Sequence, residues 1–81
     1  MTTIYVLDVP ENTSLPKVAA QDSTVTVGRV GPYFEIVAEG PLEIDRGATS
    51  CRHAVWYSIV AGVSHGTIVQ HDKNALRVEP T

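Results

Sequence analysis

Cys51 and His53 are the closest pair of side chains able to act as nucleophile and base, since a thiolate beside an imidazolium is an activated nucleophile. Their spacing opposes direct contact. On a strand, residues two apart share a face, but their Cα atoms are roughly 6.5 to 7 Å apart, long for a thiol–imidazole hydrogen bond. On a helix they diverge by about 200°. Cys51 therefore reads as a buried structural thiol beside a histidine at the domain edge.

Cys51, His53, His65, His71 and Asp72 are all acceptable metal ligands. No Cys-x-x-Cys or His-Glu-x-x-His spacing organises them, and a strand from His65 to His71 would hold its ends about 20 Å apart. No metal and no cofactor is expected. A hydrolase triad has its parts in Ser50, Ser58 or Ser64, in the three histidines, and in Asp45 or Asp72, yet any sequence with these counts offers such combinations. The glycines form neither a Gly-x-Gly-x-x-Gly nor a Walker-type run.

Arg46 and Arg52 bracket the turn Gly47-Ala48-Thr49-Ser50. Two guanidiniums flanking small polar residues could hold the carboxylate or phosphate of a small anionic ligand. Pairing with Glu43 and Asp45 as a solvated rim is the plainer alternative. A ligand site, if the chain has one, is expected at Arg46, Arg52, His53 and His65; together with Cys51 these residues make the alternative function a ligand-binding or enzymatic protein whose site is built at a subunit interface, because so small a domain hardly encloses a pocket alone.

The elements that must position these residues read mainly as strands. Twelve Val, five Ile and eight Thr stand against four Leu, which favours β structure, and turn signals recur at short intervals. Thr3 to Asp8 reads as the first strand, with Ile4 and Val6 on one face and Tyr5 and Leu7 on the other. Val9 to Lys17 reads as a loop around Pro10 and Pro16, followed by a short strand over Lys17 to Gln21. Thr24 to Val30, Tyr33 to Ala38 and Leu42 to Asp45 continue as strands. The segment Ser50 to Val63 is ambiguous: Thr49 or Ser50 could cap a helix that Gly62 ends, but Val55 to Val60 is dense in β-branched and aromatic residues, which favours a long strand. Thr67 to His71 and Ala75 to Glu79 form a hairpin around Asp72-Lys73-Asn74, with Asn74 expected in the left-handed conformation. That register pairs Ile68 with Val78 and Gln70 with Leu76, and turns His71 outward.

The expected fold is all-β: one domain over residues 1–81, a small barrel or sandwich of about six or seven mostly antiparallel strands, SH3-like or similar. An α+β arrangement with one buried helix near residues 50–61 is the alternative.

Bulk properties narrow the function classes. Nine acids against six Lys plus Arg give a formal charge of −3, and the basic residues are scattered, so no nucleic-acid partner is expected. The longest uncharged apolar stretch, Ala54 to Val63, is ten residues, against the roughly 18 to 20 a membrane span needs. One cysteine and no recognisable export signal point to the cytoplasm. Apolar residues occupy both faces of Thr3–Asp8, Tyr33–Ala38 and Val55–Val60, more than one thin core can hide. These segments predict a non-catalytic accessory subunit that self-associates or binds a protein partner, with Tyr5, Leu7, Tyr33, Val37 and Trp56 at the interface.

Overall fold

The computed structural model describes residues 1–80. Seven strands, three short helices and two 3-10 turns follow one another as β1 (Thr2–Leu7), a 3-10 turn (Pro10–Asn12), α1 (Ser14–Ala19), β2 (Val25–Val30), β3 (Tyr33–Ala38), β4 (Leu42–Asp45), α2 (Arg46–Thr49), α3 (His53–Ser58), a 3-10 turn (Ile59–Gly62), β5 (Val63–His65), β6 (Thr67–His71) and β7 (Ala75–Glu79). The strands make two antiparallel sheets, ordered β2-β3-β1-β5 and β4-β7-β6. The expectation of a barrel or sandwich of about six or seven mostly antiparallel strands holds in its coarser part: the described residues are mostly β, in two open antiparallel sheets with small helices added.

Two hairpins follow directly from local chemistry. Gly31 takes φ 56° in the two-residue turn Gly31-Pro32, which pairs Val30 with Tyr33 and aligns β2 with β3 along its whole length. In the second hairpin the Asp72 carboxylate accepts backbone N–H bonds from Asn74 at 2.8 Å and Ala75 at 3.0 Å. That side-chain turn replaces the expected left-handed Asn74, since Ser50 is the non-glycine residue with positive φ among the described residues. Ile68 pairs with Val78 as predicted, but the ladder is irregular between Ile68 and Gln70, so Gln70 faces Arg77 and His71 faces Leu76. The irregularity turns the half-buried His71 toward Trp56 instead of outward.

Two other segments differ from the strand reading. Lys17 to Gln21 is not a strand: it overlaps α1, where Leu15 and Ala19 lie one helical turn apart and are both buried. Pro16 is tolerated there because a first-turn N–H has no intrahelical acceptor to lose. Within Ser50 to Val63 the structure is nearer the helical alternative, but shorter and differently capped: residues 53–58 are helical after Arg52 at the N-cap, with Trp56 alone buried, and 59–62 continue as a 3-10 turn. Tertiary packing overrides the β-leaning composition: a helix lets Trp56 reach the core with its ring fully buried, and Trp56 Nε1 donates to the Asp72 carbonyl at 2.6 Å.

One core lies between the sheets and beneath the helices. Ile4, Val6, Ile36 and Ala38 of the first sheet meet Leu42, Ile44, Leu76 and Val78 of the second, with Leu15, Ala19, Cys51, Trp56 and Ile59 filling the remaining side. The chain passes from the first sheet to the second at Gly66, whose φ of 135° and tight surroundings exclude a side chain; a Cβ there would lie 3.1 Å from the Glu79 carbonyl. Gly62 is required for a different reason. The 3-10 turn rests so closely on β1 that a Cβ would overlap the Tyr5 carbonyl.

Candidate functional site

Alternation along β1 and β3 divides their side chains between two faces. Even positions of β1 enter the core, and odd positions face the other side. Register then assembles cross-strand rows on that other face: Val30–Tyr33–Leu7, Gly28–Glu35–Tyr5 and Thr26–Val37–Thr3. The core side of the first sheet is covered by the second sheet and the helices, whereas the row at Leu7 is left open, with Leu7 and Tyr33 each 43% exposed and Val30 49% exposed. The structure therefore brings together Tyr5, Leu7, Tyr33 and Val37, four of the five residues expected at an interface. Trp56 is the exception and is corrected: at 0% exposure it is a core residue with nothing to offer a partner.

Two recesses mark the open face. A groove of about 700 Å³ runs between the β1 side chains Tyr5 and Leu7, with Val30 and Tyr33 beside them, and the wall formed by Ser58 to Ser64. A shallower recess of about 480 Å³ is lined by Met1, Thr3, Tyr5, Glu35, Val37 and His65. Tyr5 belongs to both. Its ring meets Tyr33 edge to face at 6.5 Å, and its hydroxyl donates to Glu35 Oε2 at 2.9 Å. That bond to the carboxylate holds the Tyr5 hydroxyl above its ordinary value of 10.0, with desolvation and the nearby negative charge acting in the same direction.

Of the residues expected to bind a ligand, Arg46 lies against the Cys51 backbone next to Arg52, while His65 stands on the edge strand of the first sheet. Arg46 is used structurally, donating to the carbonyls of Cys51 and Lys73, each at 3.4 Å. Arg52 is the exposed residue preceding α3. His53 lies on the same helix, exposed, and its ring packs on Tyr57 at 4.6 Å; Tyr57 in turn meets His71 at 4.9 Å. Cys51 is buried, its sulfur 3.8 Å from Ser14 Oγ and its N–H bonded to Thr49 Oγ1. His65 is elsewhere, in the recess beside Glu35. Neither recess is lined by Arg46, Arg52 or His53. The Arg46 and Arg52 side chains also do not form the solvated rim with Glu43, which pairs with Arg77 at 3.0 Å across β4 and β7.

No cluster of three or more metal-ligating side chains occurs among the described residues. Ser64 Oγ lies 3.1 Å from His65 Nδ1, but among the described residues no carboxylate bonds that imidazole, and Ser58 is occupied with the Val55 carbonyl at 2.7 Å. A serine triad is thus not formed.

Reading the sequence missed Val30, Gly28 and Glu35 on the open face. Val30 carries no pattern of its own; its place depends on the β2–β3 hairpin register, which the Gly31-Pro32 turn could have supplied. Glu35 was hidden because a single acid inside an apolar strand gives no motif until Tyr5, thirty positions earlier, is paired with it.

A solved phenol hydroxylase–regulatory protein complex contains a chain that superimposes on this one with a TM-score of 0.73, over 99% of this chain and 98% of that one, at 16% sequence identity. The likeness is one of fold. No protein-family model and no curated protein matches the sequence.

Proposed function

We propose that this chain is a small non-catalytic accessory subunit that binds a protein partner through the open face of its first sheet. The observation that carries the reading is the exposed row Leu7, Tyr33 and Val30 above the 700 Å³ groove, an apolar surface left uncovered among the described residues. A stable protein contact characteristically centres on aromatic and aliphatic side chains of this kind, with polar groups around them. The shared fold favours a regulatory protein of a hydroxylase as the particular form of this role, since a phenol hydroxylase–regulatory protein complex is what the similar structure contains.

Leu7→Asp and Tyr33→Asp test the assignment. Both positions are well exposed, so each change is expected to alter stability by less than about 0.5 to 1 kcal/mol. Partner binding, measured with a hydroxylase assembly purified from the same host, is expected to fall at least about tenfold. Retention of full affinity in both variants would remove the open face from the account, and a wild-type chain that neither binds the assembly nor self-associates in sedimentation would remove the accessory role altogether.

A further inference from the structure

At the centre of the open face, Gly28 of β2, Glu35 of β3 and Tyr5 of β1 form one cross-strand row. Gly28 is unexplained by the fold. Its φ is not in the left-handed region, and a Cβ built there meets nothing within 4 Å. Glycine in mid-strand carries an entropic cost and marks places where another chain or ligand approaches closely. Here its missing side chain leaves the flank of Glu35 open.

Among the described residues Glu35 also forms no ion pair, although His65 and Met1 line the same recess. Among the described residues the Tyr5 hydroxyl is its hydrogen-bond donor, and no Lys or Arg reaches it: Arg29 pairs with Asp8, Arg77 pairs with Glu43 and Glu79, and Arg46 holds backbone carbonyls. A half-buried carboxylate beside a glycine gap, in a recess shared with Met1, Thr3, Tyr5, Val37 and His65 and next to the exposed row Val30–Tyr33–Leu7, is complementary to a cation that arrives with an apolar neighbour.

We propose that the Glu35–Gly28 slot is the charge-recognition point of this face, taking one arginine or lysine side chain of the partner protein. A bulky apolar side chain of the same partner segment sits on the row Val30–Tyr33–Leu7, about 7 Å away, the distance between successive same-face residues of a strand. This rests on the open face being a docking surface and adds the chemistry of what docks.

Random peptide libraries panned against the immobilised full chain, and in parallel against Glu35→Lys, provide the test. Sequences enriched on the wild type are expected to share a basic residue near a large apolar one, and those enriched on Glu35→Lys to carry an acid instead. For a wild-type-selected peptide, fluorescence anisotropy should show affinity lowered about tenfold or more by Glu35→Gln and by Gly28→Thr. The Gly28→Thr protein should meanwhile melt at a higher temperature than the wild type, since a β-branched residue suits an open strand position. An unchanged consensus on Glu35→Lys, or an affinity within about twofold in Glu35→Gln, overturns the charge recognition. If selected peptides lack a basic residue yet are lost in Leu7→Asp, the slot is wrong and the docking face stands. If they bind Leu7→Asp and Tyr33→Asp as well as the wild type, or if none is enriched on the wild type, both readings fall.

Discussion

Trp56→Phe probes the helix that the strand-like composition concealed. The substitution removes the indole N–H, which donates to the Asp72 carbonyl at 2.6 Å, and the outer part of a ring with no exposed surface. Loss of the hydrogen bond costs about 1 kcal/mol, the low end of the range, because the Asp72 carbonyl sits in an exposed turn where water can replace the donor. The smaller ring leaves roughly 40 Å³ unfilled, which at about 24 cal/mol per Å³ adds about 1 kcal/mol. A total near 2 kcal/mol is a large share of the roughly 4 to 12 kcal/mol a domain of this size has, and lowers the melting midpoint by about 8 to 16 °C. Urea unfolding followed by circular dichroism gives the difference. In the wild type the single tryptophan supplies an independent readout, with emission that shifts to the red as the buried ring meets water. A destabilisation under about 0.5 kcal/mol would refute the burial and bonding assigned to Trp56 and, with them, the placement of the helix against the second hairpin.

Two pH experiments examine single hydrogen bonds. The Asp72 carboxyl is held below its ordinary 3.8 by the backbone N–H groups of Asn74 and Ala75, with Gln70 assisting. A depressed folded value contributes stability that is present above the unfolded value and lost as pH falls through the folded one, so Asp72→Ala should be less stable near neutrality and lose less than the wild type on acidification below about pH 4. Equal acid limbs in the two proteins would exclude the carboxylate turn. Tyr5 behaves oppositely. Its raised hydroxyl value contributes stability present below pH 10.0 and lost as pH rises through the folded value. Glu35→Gln is expected to bring one of the three tyrosine titrations down toward 10.0 when followed by ultraviolet absorbance. An unaltered titration would mean that Tyr5 and Glu35 do not bond in solution.

The candidate site was partly legible because alternation is a local property. Tyr5 and Leu7 opposite Ile4 and Val6, or Tyr33 and Val37 opposite Ile36, follow from a two-residue period alone, and so does the surplus of apolar side chains over what one core can hold. Around the arginines, α2 and the left-handed Ser50 turn Arg46 onto the Cys51 carbonyl and Cys51 is buried, while His65 is placed opposite Thr3 in the first sheet by a pairing that no local pattern announces.

By itself the sequence determined the C-terminal hairpin, the alternation of the strands at Thr3–Asp8 and Tyr33–Ala38, the pairing of Ile68 with Val78 and the lack of any spaced catalytic or metal motif. These depend on residues within a few positions of each other, where turn chemistry and alternation act without the rest of the fold. Tertiary structure alone decided that residues 53–58 are helical, since Trp56 gains a full core environment and the Asp72 carbonyl only in that form. It also decided which apolar strand face stays uncovered, and it built the row Gly28–Glu35–Tyr5 from three strands distant in sequence. Register between distant strands is set by the packing of the whole core, so no local pattern could announce it.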